Sequence, residues 1–562
     1  MPVLYYRGSG FGRGGPEPPE RTGRPRRPAR WGGFEPPYDE VMQMNSKRIV
    51  FFAAMLLCLA ALFAVTVRAE EPAAPEQTEY SKEFLERVKK RITKVRLAIK
   101  RYQQNLKKKR GKASGDALAQ TVKDYLRPAD HPDIVTELLN ILNRINDGLV
   151  QEACMEALKT VKEGPCEDML IAKGVRRGKP QTRAFVIEAL AKGDKVQHFT
   201  LFAEILKNTK ENELARAACA RALGILQDAR AVNVLISCDK DKSEMVKLAV
   251  IEALSNFDNE SAQQCIASMI DDDSSWRVRA AAIQVSVEKK NPYAVGYLIV
   301  RLRKEKGRLF DDVLKALKAI TGIWKGESIS MWEEWFKRSE YAKKGKIVLK
   351  PRKDVPGNYT KITYHGIRTH SKNVVFIIDT SASMKERCDP KALKGSYVKP
   401  DEKFVGNTRM ELVKWELTRC ILRLDSNTSF NIIAFSTDVR KWKKRSVFAT
   451  PSNKKAAINW VKGLSPDGRT NTWGALLAAF GCRSFADGRF KANPLGDTIF
   501  LLTDGDPNEG ELDDPDEILA GVKELNRYHK IVIHCIAVGR FNKAFMQQLA
   551  QENGGEFVDL GD

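Results

Sequence analysis

The stretch Val374-Val-Phe-Ile-Ile-Asp-Thr-Ser-Ala-Ser-Met384 decides how the C-terminal third of the chain is read. Five apolar residues, four of them β-branched, run into Asp379. A run of this length and composition predicts a strand buried on both faces, as in a parallel sheet. Such strands present ligand-binding residues in the loop at their carboxyl end. Here that loop offers one carboxylate and, at alternate positions, the hydroxyls of Ser381 and Ser383, with no His or Cys. An all-oxygen set suits a hard divalent cation, magnesium or manganese.

Outward from this stretch, strands and helices alternate. Strands are expected at 429–436, 498–504 and 531–538, and helices at 409–424, 454–463, 472–485, 518–526 and 543–553. This alternation predicts an α/β doubly wound, Rossmann-like sheet over residues 372–562. Two further segments should then reach the carboxyl edge beside Asp379. In Asp467-Gly-Arg-Thr-Asn-Thr472 a tight turn offers Thr470 just before a helix, and in Leu501-Leu-Thr-Asp-Gly505 a buried strand again ends in an aspartate, Asp504.

With these residues in place, the segment resembles a von Willebrand factor type A (VWA) domain carrying a metal-ion-dependent adhesion site. The resemblance assigns Asp379, Ser381, Ser383, Thr470 and Asp504 to the metal. It implies that the serine and threonine hydroxyls approach the ion directly or through water, that the aspartates act through water or hydrogen bonds, and that an open position accepts a partner's Glu or Asp. Two features stand apart. Twenty-four residues separate Ser383 from Thr408, a loop beside the site that contains Cys388, and Asp506 is a spare carboxylate near the third loop.

Upstream, residues 129–341 read as one domain, in which the chain repeats from about Ala129 to Gly322. Ala157, Ala189, Ala222, Ala253, Val285 and Ala316 occupy equivalent places, with spacings of 32, 33, 31, 32 and 31 residues. A fixed period with paired helical patterns predicts an α-solenoid, alanine recurring where helices approach closely. The motif resembles short HEAT-like repeats related to phycobilisome-lyase repeats; with no catalytic set among them, the implied role is a docking scaffold. Trp332, Trp335 and Phe336 are expected to close the end of the solenoid, before a linker at 342–371. The expected whole is a multidomain protein, an α-solenoid followed by the α/β domain. It is similar to exported HEAT-repeat/VWA proteins of bacteria.

The N-terminal part reads differently. Residues 1–43, rich in Pro, Gly and Arg, are expected to be disordered and suggest a misassigned start. Residues 44–69 carry a basic segment, an apolar run from Ile49 to Val67 and small residues before a break, the pattern of a signal peptide. Export is the expected localisation (secreted, periplasmic or cell-surface), with a membrane anchor over 49–67 as the alternative.

The net charge is +23, and residues 81–128, within the 70–128 segment of linker and basic helix, contribute 16 Lys/Arg against 4 Asp/Glu. Such a patch fits an acidic polymer or an anionic membrane surface. The ten cysteines show no metal-ligand spacing and read as buried small hydrophobes. The functional expectation is a non-enzymatic interaction or adhesion protein whose cation grips a protein partner's Asp or Glu. The alternatives are a Ro-like RNA-binding protein, disfavoured by the export signal and by the lack of an aromatic platform for nucleic acid, and a hydrolase, disfavoured by six histidines with no evident nucleophile.

Overall fold

The computed structural model describes residues 80–107, 111–272, 274–344, 347, 361–388, 404, 406–486, 488, 492–539 and 541–561. The readings of residues 1–79, including the signal segment, lie outside these, as do most of the linker at 342–371 and residues 389–403 of the long loop. No helix among the described residues is long and apolar enough to cross a membrane.

Helices dominate the described residues between 82 and 344. In chain order they are α1 (Lys82–Lys107), α2 (Gly111–Leu126), α3 (Pro132–Arg144), α4 (Gly148–Leu158), α5 (Pro165–Met169), α6 (Pro180–Lys192), α7 (Phe199–Lys207), α8 (Glu213–Leu226), α9 (Ala231–Ile236), α10 (Glu244–Leu254), α11 (Glu260–Met269), α12 (Trp276–Glu288), α13 (Ala294–Leu302), α14 (Arg308–Thr321), α15 (Ile329–Arg338) and α16 (Tyr341–Lys344). The basic helix α1 buries Val88, Ile92, Val95 and Tyr102 in the same core as the repeats, so it closes the solenoid at its N-terminal end. Trp332 and Phe336 of α15 are buried and close the other end.

The repeat residues lie on α4, α6, α8, α10, α12 and α14. All five alanines are at most 1% exposed. Helix starts are set locally: Asp147, Asn212, Ser243 and Ser275 each cap the first turn of α4, α8, α10 and α12. Ion pairs then repeat with the units. Arg183–Glu211, Arg216–Asp241, Lys247–Asp272 and Arg279–Glu305 join successive units, the cations recurring at intervals of 33, 31 and 32 residues. Buried pairs of this kind add little net stability, but separating one leaves an uncompensated charge, so they penalise slips of register.

The C-terminal domain is a mostly parallel sheet. Its strands are β3 (Asn373–Asp379), β4 (Ser429–Phe435), β5 (Val439–Lys441), β6 (Val447–Phe448), β7 (Thr498–Thr503), β8 (Val532–Ala537) and β9 (Phe557–Asp559), after a hairpin of β1 (Ile362–Tyr364) and β2 (Ile367–Thr369). The order is β5-β4-β3-β7-β8-β9, with β6 also on β4. β3, β4, β7, β8 and β9 run parallel, and β5 and β6 are antiparallel edge pieces that the apolar pattern did not predict. β3 is central, between β4 and β7. Its side chains alternate: Val374, Phe376 and Ile378 pack under α17 (Arg409–Arg423) and α18 (Pro451–Lys462). Val375 and Ile377 pack under α19 (Thr472–Ala479), α20 (Pro515–Asn526) and α21 (Lys543–Glu552). Burial on both faces is why the run is apolar throughout. α19 ends at Ala479 rather than near Phe485. Gly481 turns the chain there with φ +71°, and a Cβ on it would lie 1.9 Å from the Asn493 carbonyl oxygen.

The solenoid packs against the amino ends of the strands. From the second repeat onward, the residue before each repeat position meets the sheet domain. Glu188 and Glu252 face Arg527 at 3.8 and 3.5 Å, and Arg221 bonds to Tyr528 Oη. Gln284 donates to the Glu552 carbonyl, and Lys315 pairs with Glu556 at 2.7 Å. Arg308 donates to the carbonyls of Asp497 and Lys530, just before β7 and β8, and Asp311 receives His370 N–H at 2.7 Å, just before β3. Burial pushes the Glu188 carboxyl up, but the adjoining guanidinium groups of Arg221 and Arg527 outweigh it and hold the carboxyl at about 2.

A close helix crossing at Gly224 yields a stability prediction. A Cβ on Gly224 of α8 would lie 2.6 Å from the Ala253 Cα on α10. Alanine gains about 1 kcal/mol of helix propensity over glycine, whereas overpacking against backbone costs about 1–3 kcal/mol. Because a Cα cannot swing aside, the steric cost wins and Gly224→Ala lowers the thermal midpoint. Gly463→Ala, whose Cβ would meet nothing closer than 3.5 Å, does not lower it. Thermal denaturation of the full chain followed by circular dichroism measures both.

Candidate metal centre

The first loop is held by backbone before any side chain acts. Thr380 N and Oγ1 both donate to the Phe435 carbonyl at the end of β4, at 2.7 and 2.9 Å. Ala382 N donates to Gly468 O at 3.0 Å and Asp467 N to Thr380 O at 2.8 Å, so the second loop is clipped to the first. Gly468 makes that turn with φ +79°, a conformation that favours glycine. The third loop is tied to the second by Asn508, whose Oδ1 accepts Thr470 N at 2.8 Å while its N–H donates to Thr470 O at 3.1 Å.

Asp379 lies at the centre, fully buried. Its Oδ1 accepts Ser381 N at 2.7 Å and its Oδ2 accepts Thr503 Oγ1 at 2.5 Å, so both oxygens are engaged in orienting the first and third loops. Three other oxygens converge in front of it. Ser381 Oγ and Ser383 Oγ are 3.0 Å apart, Ser383 Oγ is 2.7 Å from Asp504 Oδ1, and Ser381 Oγ is 3.4 Å from the same atom. Thr470 Oγ1 stands nearby: a Cβ on Gly505 would lie 3.5 Å from it and 3.9 Å from Ser383 Oγ. The missing side chain of Gly505 keeps that space open. The structure thus brings together Ser381, Ser383 and Asp504 directly, Thr470 across the cleft and Asp379 behind.

The cleft, of about 530 Å3, is lined by Ser383, Glu386, Arg409, Thr470, Asp504, Gly505, Asp506 and Asn508. Asp506 is not free to swing in, since its Oδ1 accepts Asn542 N, the cap of α21, at 2.7 Å. The base of the long loop is closed by Cys388 N to Asn407 O at 3.1 Å and Arg409 N to Glu386 O at 3.0 Å. Three of these residues, and Thr503 behind them, were not singled out in the sequence. Thr503 was hidden inside the apolar run of β7, and Asn508 and Glu386 carry no motif. Arg409 read as the first residue of a helix. Its Nη1 lies 3.1 Å from Asp504 Oδ2 and 2.8 Å from Glu386.

The electrostatics follow from burial. Burial pushes the Asp379 carboxyl up to about 7, the nearby Asp504 carboxylate pushes the same way, and the bonds from Thr503 and Ser381 oppose them. Burial also raises Asp504, against the pull of Ser383 and Arg409. Among the described residues, no three His, Cys, Asp or Glu side chains are arranged to hold a metal, so any ion here depends on the hydroxyls. The donor set fits one. An octahedral magnesium with arms of about 2.1 Å has oxygen–oxygen edges of about 3.0 Å, close to the triangle formed by Ser381, Ser383 and Asp504. The same separations are those of the hydrogen bonds among these three oxygens.

The C-terminal histidines lie elsewhere. His365 sits in the β1–β2 turn and His534 on β8; burial pushes both imidazoles down to about 3. His529, after α20, is pushed by burial to about 4, and His370 bonds to Asp311. Of the nine described cysteines, eight are buried.

Comparison with known proteins agrees with this architecture. Residues 199–286 match the HEAT repeats model, and residues 407–559 match the von Willebrand factor type A domain model. Inter alpha-trypsin inhibitor, heavy chain 4, of Mus musculus is 34% identical over 194 residues, 33% of this chain and 18% of that protein. Inter-alpha-trypsin inhibitor heavy chain H3 of Mesocricetus auratus is 30% identical over 221 residues, 37% of this chain and 22% of that protein. The chain thus spans about a fifth of the length of these curated relatives. Among solved structures, a von Willebrand factor type A protein from Catenulispora acidiphila covers 35% of this chain and 40% of that chain at 21% identity, with a TM-score of 0.26. The chain carries HEAT repeats followed by a von Willebrand factor type A domain.

Proposed function

We propose that this protein is a non-enzymatic binding protein of the adhesion type. Its VWA domain holds magnesium or manganese through Asp379, Ser381, Ser383, Thr470 and Asp504. When bound, the cation supplies a Lewis-acidic position that holds an Asp or Glu carboxylate of a protein partner. The observation that carries this reading is the triangle of Ser381 Oγ, Ser383 Oγ and Asp504 Oδ1 at 2.7–3.4 Å.

The chain's own residues explain why the site is ready-made. Asp379 positions Ser381 through its backbone N–H and ties β3 to β7 through Thr503. Two neutral hydroxyls in front leave little protein charge to satisfy the ion, which favours capture of a carboxylate from outside. Among the described residues no His or Cys lines the cleft, and the set offers no nucleophile paired with a base. The solenoid occupies the amino ends of the strands, so the carboxyl-end cleft stays accessible while the solenoid serves as scaffold. The basic outer face of α1 supplies a second contact for an acidic polymer or an anionic membrane surface. Export is proposed from the signal pattern at 44–69, and N-terminal sequencing of the mature product tests it: a product beginning near Glu70 supports export, and an intact Met44 segment refutes cleavage.

Calorimetric titration of Mg2+ or Mn2+ into the full chain tests the site. Asp379→Ala, or Ser381→Ala with Ser383→Ala, should abolish saturable binding while leaving the far-ultraviolet spectrum unchanged; unaltered binding in either variant refutes the assignment.

The raised Asp379 carboxyl adds a pH signature. Its folded value, about 7, lies above the ordinary value of 3.8, so the ion-free fold retains a proton there at pH 6. That group's contribution to stability falls as pH rises from about 4 to about 7. Binding a cation expels the proton, so affinity weakens by up to about tenfold per pH unit below 7. The thermal gain on adding Mg2+ should therefore be larger at pH 8 than at pH 6. Equal gains would show that Asp379 does not titrate with the ion.

A further inference from the structure

Arg409 is an arginine buried at a cation cleft. It is the first residue of α17, and the start of that helix is fixed by a capping box: Thr408 Oγ1 accepts Glu411 N at 3.2 Å and the Glu411 carboxylate accepts Thr408 N at 3.0 Å. The side chain, only 7% exposed, runs beneath the end of β8. There Gly539, at φ +79°, leaves it room, and a Cβ on Gly539 would lie 2.2 Å from the guanidinium carbon. The guanidinium is shared between two unlike acids. Asp504 is wholly buried, whereas the Glu386 side chain is 62% exposed at the rim of the cleft. Asp504 is thereby divided, with Oδ2 on Arg409 and Oδ1 on the serine hydroxyls.

We propose that Arg409 is a positioning residue that sets the charge of this centre. It holds Asp504 so that Oδ1 faces the hydroxyls, and it neutralises part of that carboxylate, lowering the cleft's own affinity for the cation. The cation then retains charge for an external carboxylate. Glu386 tunes the balance by drawing part of the guanidinium's charge away from Asp504. This inference rests on the metal-site reading above and concerns only how the chain's residues weight it.

A buried like charge repels the ion with little screening, so removing it is expected to tighten binding by about tenfold. Mn2+ is titrated into the full-length chain and its Arg409→Met, Arg409→Lys and Glu386→Gln variants, with free Mn2+ read by electron paramagnetic resonance. Arg409→Met should bind Mn2+ about tenfold more tightly. Arg409→Lys, which keeps the charge, should stay near the wild-type value. Glu386→Gln should bind about threefold more weakly, and the loss should persist in 0.5 M KCl because the guanidinium it redirects is buried. Unchanged or weaker binding by folded Arg409→Met overturns the proposal. If Arg409→Met does not fold, Glu386→Gln decides: unchanged or tighter binding, or a loss that disappears in high salt, overturns it equally. Failure of the metal-site reading looks different, since the wild type would then show no saturable Mn2+ binding or Asp379→Ala would bind as the wild type does.

Discussion

The buried carboxylate of Asp379 is the constraint on which the centre depends. One oxygen fixes the first loop through Ser381 N and the other fixes the third through Thr503 Oγ1. A carboxylate buried at this depth is costly unless its lone pairs are engaged. The two bonds offset part of that cost, and they make the relative placement of β3 and β7 a matter of hydrogen-bond geometry rather than loose packing. The second loop is held by backbone alone, through Ala382 N to Gly468 O and Asp467 N to Thr380 O. Loops pinned in this way present their hydroxyls without further ordering, which lowers the entropic cost of binding.

The solenoid and the sheet divide the molecule by strand polarity. One repeat position, placed just before the recurring alanine or, in one unit, Val285, supplies Glu188, Arg221, Glu252, Gln284 and Lys315 to the interface. The regular rise of a solenoid turns a periodic sequence position into a row of contacts along the amino ends of β7, β8 and β9. The cleft at the carboxyl ends is lined by none of its residues. The charges at this interface are mutually compensated: Arg527 is within reach of Glu188, Glu252 and Glu524. Removing one partner would strand another in a dry setting, so the interface resists piecemeal change.

Legibility in the sequence followed the physics of each signal. The 31–33-residue period was readable because close helix crossings demand small side chains, as Gly224 against Ala253 illustrates. β3 was readable because burial on both faces leaves no polar position. β5 and β6 were not: each is only two or three residues long at a half-exposed edge, too short for a periodic pattern. The predicted helix over 472–485 runs past the end of α19 at Ala479, because Phe480 and Phe485 beyond it still pack in the core.

By itself, the sequence determined the element types, the repeat, and which residues carry hard oxygen donors at the ends of buried strands, because these depend on local spacing and burial. Only the tertiary structure decided that Ser381, Ser383 and Asp504 lie within hydrogen-bond distance of one another. The same holds for the loop that stays open at Gly505 and for Arg409, placed between Asp504 and Glu386. These depend on where distant segments meet. Ser383 and Asp504 are 121 residues apart in the chain, and no local signal encodes the distance between them.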